Sequence, residues 1–98
     1  MREIVFTRQF ERDFRRLKRK LPRDALEYET LEFLIGLLQA AVPLPKAFRE
    51  HALEDEFSGF VECHVDTDWL LIYRVVRNRV IFHRTGTHRD LFRRRKKR

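Results

Sequence analysis

Ninety-eight residues, 43% of them hydrophobic and nine of them Phe, are enough for one domain with one core; a chain of this size buries roughly 60–70% of the surface its unfolded form exposes. One cysteine excludes an intramolecular disulfide and a cysteine-built metal cluster. No apolar run approaches the ~20 residues of a membrane span and no signal peptide is evident, so no membrane role and a reducing cytoplasm are expected.

The net charge of +7 is unevenly spread. RRRKKR, residues 93–98, holds six positive charges and reads as a basic, disordered tail on a single domain of residues 1–92. Residues 1–20 hold eight Arg or Lys against three acids, whereas 24–32 is acidic. Charge runs are ordinarily solvated faces; a basic helix with a basic tail also suits an anionic partner.

In chain order, Glu3–Phe6 is a short β-prone run, and Thr7 is placed to cap the helix that follows. Phe10, Phe14, Leu17 and Leu21 recur at helical spacing, which predicts one apolar stripe on a helix of about fifteen residues. Pro22 separates it from a second helix over about 23–41, whose stripe is Tyr28, Leu31, Ile35 and Leu38. Pro43 and Pro45 end that helix and open a connection of about fifteen residues containing His51. Long loops of this kind often carry function.

From Gly59 onward the pattern is a three-stranded meander. Val61, Cys63 and Val65 alternate with Glu62 and His64, which places those two polar residues together on the face away from the core. Trp69–Val76 is a nearly unbroken apolar run, as a central strand requires. Arg77-Asn78 forms the turn, with Asn expected to take the positive φ, and Val80–Thr85 returns. The expected fold is therefore α+β, in the order β-α-α-β-β-β. Two N-terminal helices pack on one face of a small, mainly antiparallel sheet.

Singly, the polar residues read as ordinary surface and turn groups. His51 is a loop histidine, Asp66-Thr67-Asp68 a strand-to-strand turn, and Arg84-Thr85-Gly86-Thr87-His88 a strand end. No metal-binding motif has convincing spacing, no glycine-rich phosphate loop is present, and Ser58 and Cys63 lack a nucleophile signature. Together, however, LPKAFREHAL, GFVECHVDTDWLLIYRV and FHRTGTHRDLF resemble the YafQ branch of the RelE/ParE superfamily, toxins of type II toxin–antitoxin pairs. The resemblance covers about residues 43–92.

That resemblance implies a RelE-like fold and a ribosome-dependent endoribonuclease, an mRNA interferase that cuts messenger RNA in the A site of the 30S subunit without a metal or other cofactor. Its implied partners are a cognate antitoxin, the ribosome with its RNA, and mRNA. The family's catalytic positions fall on His51, His64, Asp68, Arg84 and His88, with Glu62 and Phe92 as substrate-binding positions. Glu62 stands where the pattern has Asp, and Ala52 where it has Pro. Cleavage through the 2′-OH needs a base, an acid and positive charge at the phosphate. Asp68, alone or with His64, is read as the base, His88 as the acid and Arg84 as a bidentate phosphate ligand. His51 then orients the substrate and Phe92 stacks on a base; acid and base can be exchanged on sequence alone. Two rival readings are a ParE-like, non-enzymatic gyrase poison and a basic RNA- or DNA-binding module.

Overall fold

The computed structural model describes residues 1–92; the basic segment 93–98 lies outside the described residues. The elements run β1 (Glu3–Phe6), α1 (Arg8–Lys20), α2 (Leu26–Gln39), β2 (His51–Ala52), β3 (Val61–Asp66), β4 (Trp69–Val76), β5 (Arg79–Gly86) and α3 (His88–Phe92). They form one five-stranded sheet ordered β1-β5-β4-β3-β2, with β1 parallel to β5 and the other pairs antiparallel. The α+β class is as expected, with β2 and α3 added. The connection after α2 is not a plain loop: it holds β2 and two 3-10 turns, at Lys46–Phe48 and Asp55–Phe57. Two- and three-residue elements are too short for hydrophobic periodicity to register.

α1 begins where Thr7 caps it: Thr7 Oγ1 accepts from the Phe10 N–H at 3.0 Å and donates to the His83 carbonyl at 2.9 Å. The cap therefore ties the helix to β5. Phe10 and Leu17 from α1, and Leu31, Leu34 and Leu38 from α2, pack on Cys63, Val65, Trp69, Leu71, Tyr73, Val80 and Phe82. Each such side chain contributes about 1.5–3 kcal/mol when fully buried. Burial, aided by the charges of Glu50 and Glu62, pushes the Cys63 thiol up to about 12, so it stays an inert thiol.

The opposite face of the sheet carries a second, smaller cluster. Leu70, Ile72 and Leu91 pack there with Leu53, Phe57 and Phe60. β4 is thus covered on both sides, which is why Trp69–Tyr73 is apolar without alternation. The turn after β4 differs from expectation: the positive φ, 57°, falls on Arg77.

Candidate active site

Strand register gathers the polar residues on the sheet face away from α1 and α2. In the β3–β4 ladder His64 lies opposite Leu70 and Glu62 opposite Ile72, so both follow the second cluster outward. β2 adds His51 directly opposite Glu62. In the β4–β5 ladder Leu70 faces Gly86; two residues beyond that pair on each strand stand Asp68 and His88. Gly86 has φ 152°, which permits the turn from β5 into α3 and sets His88 at the helix start.

The result is a row of rings: His51 and His64 have centroids 6.1 Å apart, His64 and His88 6.0 Å, His88 and Phe92 6.2 Å. Phe92 is 36% exposed and lies edge-on to Phe57. Each end histidine has a carboxylate. Asp68 Oδ1 accepts from the His88 backbone N–H at 3.0 Å and from His88 Nδ1 at 2.9 Å. Those two bonds hold the Asp68 carboxyl below the usual range, so it is an ionised acceptor and Nδ1 is the protonated nitrogen. Nε2 is then the nitrogen of His88 left for chemistry.

His51 is fixed from both sides. Its Nδ1 lies 2.8 Å from the Arg49 carbonyl and must donate, because a carbonyl only accepts. Its Nε2 lies 2.8 Å from Glu62 Oε1. Glu62 is only 4% exposed, and its second oxygen, Oε2, is buried without a hydrogen-bond partner among the described residues. The contact Glu62 makes is with the His51 ring. Burial lowers the pKa of His64, opposed by Glu62 and reinforced by the nearby charges of Arg49, His88 and His51; the middle ring is therefore a neutral imidazole near neutral pH.

His83 and Arg84 point to opposite sides of the sheet. Tyr73 pairs with Phe82 and Ile72 with Arg84, so His83 is an extra residue in a β-bulge. His83 turns to the same side as the histidine row, stacking on Phe60 at 4.5 Å. The Arg84 guanidinium goes to α1, donating from Nε to Asp13 Oδ2 at 2.7 Å and from Nη2 to Asp13 Oδ1 at 3.2 Å. Asp13 Oδ2 also accepts the Thr85 backbone N–H at 3.1 Å, on the stretch of β5 that β1 no longer pairs. One edge of the Arg84 fork, Nε with Nη2, is thus taken by Asp13. Asp13 escaped the sequence reading because it looked like one more polar residue on a charged helix. Only its position one turn from Gln9 and beside the apolar stripe hinted at burial.

A row of oriented imidazoles on a small α+β sheet is an arrangement suited to acid–base chemistry. Residues 2–93 match the family described as "Bacterial toxin of type II toxin-antitoxin system, YafQ". The chain belongs to that family. It is 36% identical over 92 residues to "mRNA interferase toxin YafQ" of Escherichia coli (strain B / BL21-DE3), covering 93% of this chain and 96% of the relative. A copper-bound mutant toxin from Helicobacter pylori has a similar structure, with TM-score 0.83 and 32% identity over 94% of this chain and 100% of that one. YafQ in the E. coli DinJ–YafQ complex gives TM-score 0.80 and 32% identity over 94% and 99%.

Proposed function

We propose that this chain cleaves messenger RNA in the ribosomal A site, using its histidine row for acid–base transfer through the RNA's own 2′-OH. The protein is an mRNA interferase, the toxin of a type II toxin–antitoxin pair, and a cognate antitoxin is its natural partner. The observation that carries the mechanism is His64 and His88 side by side, with His88 pinned through Nδ1 to Asp68.

In this scheme His64, favoured as a neutral imidazole, takes the 2′-OH proton. The alkoxide attacks the adjacent phosphorus, the P–O5′ bond breaks, and His88 Nε2–H protonates the departing 5′-oxygen. A 2′,3′-cyclic phosphate and a 5′-hydroxyl result, and the proton count closes. Asp68 acts as a positioning residue rather than as the base, because its Oδ1 already accepts two bonds from His88. His51 has both ring nitrogens engaged, by the Arg49 carbonyl and the Glu62 carboxylate, and serves to hold the edge of the row in place. Phe92 offers a ring for a splayed base.

The test is cleavage of one mRNA in a purified translation system, mapped by toeprinting with and without ribosomes. The scheme expects cuts at the A site only when ribosomes are present, with cyclic-phosphate 3′ ends. Equal cleavage of naked RNA overturns the ribosomal step. A pH–rate profile separates the two bases: with His64 the acidic limb falls in the imidazole range, and with Asp68 it falls in the carboxylate range.

A further inference from the structure

α3 carries His88 and Phe92, yet it is five residues long and Leu91 is its one buried residue. A single helical turn has almost no stability of its own and takes its place from what it packs against. Leu91 docks on Leu70 and Ile72, and the Asp68 carboxylate holds His88. A third support comes from the other side of the sheet. Asp90 turns to the end of α1, where Arg16 Nη1 stands 3.6 Å from its Oδ1 and Lys20 Nζ 3.4 Å from its Oδ2. Arg16 and Lys20 are four residues apart, so one face of α1 presents both cations to a single carboxylate. The Asp90 side chain is 15% exposed, whereas its two partners are about half exposed. The carboxylate is therefore sheltered between the helices, and the Asp90 N–H is bonded to Thr87 Oγ1 at 3.1 Å. Lys20 also stands near enough to Asp68 to reinforce the His88 hydrogen bonds that hold that carboxyl down. One cation of α1 thus acts on both carboxylates around His88.

We propose that Asp90 is a positioning residue: its double ion pair with Arg16 and Lys20 clamps α3 to α1 and so keeps His88 beside His64. Without the clamp the short helix keeps one apolar anchor and the bonds to Asp68, and His88 spends part of its time out of the row. An element with so few buried contacts opens at low free-energy cost, which makes each remaining support count. Removing the Asp90 charge also releases two cations of the basic helix to RNA phosphates. Ribosome affinity should therefore hold while the chemical step slows. The effect on cleavage rests on the acid role given to His88 above; the clamp itself does not.

Single-turnover cleavage at increasing ribosome concentration tests this with Asp90→Asn, which keeps the size of the side chain and removes its charge. The maximal rate should fall by about 3–10-fold, the range open to two partly exposed ion pairs. The ribosome concentration at half-maximal rate should stay equal or drop. Asp90→Glu should recover most of the rate, and Glu3→Gln, which breaks a different surface ion pair, should leave it unchanged. In an Arg16→Met, Lys20→Met background at saturating ribosomes, Asp90→Asn should cost no further rate. Circular dichroism establishes that each variant is folded. NMR of the free chain adds a readout independent of cleavage: the His88 ring signals should move or broaden in Asp90→Asn while those of His51 stay. An unchanged rate with unchanged His88 signals, or equal slowing in the background lacking both cations, overturns the clamp. Displaced His88 signals with an undiminished rate retain the clamp and overturn the acid role given to His88.

Discussion

At the scale of single residues the sharpest expectation concerns His88 and Asp68. A positioned acid is worth ~10²–10⁴-fold, so His88→Ala should lower single-turnover cleavage by about that factor while ribosome binding holds. Asp68→Asn keeps an oxygen that can accept the backbone N–H of His88, so its loss should be the smaller of the two, with the acidic limb of the pH profile unmoved. An Asp68→Asn variant as dead as His88→Ala, with that limb removed, would return the base role to Asp68. His83 gives a separate pH signature. Burial against Phe60 lowers its pKa from 6.5, with Arg84 and Arg74 lowering it further and Asp13 opposing. The unfolded chain then binds the extra proton first, so His83 destabilises the fold as pH drops below 6.5 and adds nothing above it. Urea midpoints should fall as the pH drops below 6.5, and His83→Phe should flatten that part of the decline.

At the scale of elements, α1 and β5 are joined by Asp13. It is 3% exposed and accepts from Arg84, from the Thr85 N–H and from Gln9. Asp13→Ala strands a mostly buried guanidinium and a strand-edge N–H, and should cost about 3 kcal/mol, toward the low end for a broken buried pair because Arg84 keeps some solvent. Chemical denaturation measures it, and a double-mutant cycle with Arg84→Met should recover part of the loss. The junction of β5 and α3 depends on Gly86. Its φ of 152° is outside what side-chain-bearing residues adopt readily, and a Cβ there meets Leu91 Cδ2 at 3.4 Å. Gly86→Ala should destabilise the fold by about 1–3 kcal/mol. Because His88 begins two residues later, it should also lower cleavage in the folded fraction. Unchanged cleavage in that variant would mean that His88 is not placed by this turn.

At the scale of the whole molecule, the toxin of a type II pair must be silenced by a partner. Expression of the chain alone should arrest growth, and co-expression of its antitoxin should restore it; vigorous growth at high soluble expression of the unaltered chain contradicts the assignment. Residues 93–98 contribute six cations, and deleting them should weaken ribosome binding and flatten its salt dependence. The slope should drop by as much as about 0.7–0.9 for each phosphate no longer neutralised. At saturating ribosomes the single-turnover rate should be unchanged. A truncated protein with the same slope would show that these charges neutralise no phosphate.

Much of this was legible in the sequence. The spacing of Phe10, Phe14, Leu17 and Leu21 gave the first helix, Thr7 its cap, and the unbroken run from Trp69 the central strand, because these are local consequences of helical period, capping chemistry and burial. Glu62 and His64 were correctly paired on one face by period two alone. Only the fold shows that β5 carries an unpaired residue, and that His83 packs on Phe60 while the Arg84 guanidinium goes to α1. His51 looked like a loop residue because the two-residue strand that sets it opposite Glu62 exists only by pairing with β3. Asp13 and Arg84 stand 71 residues apart in the chain. Local pattern specifies elements and faces; which buried charges meet, and which polar residues share a site, is decided by register and packing between distant segments.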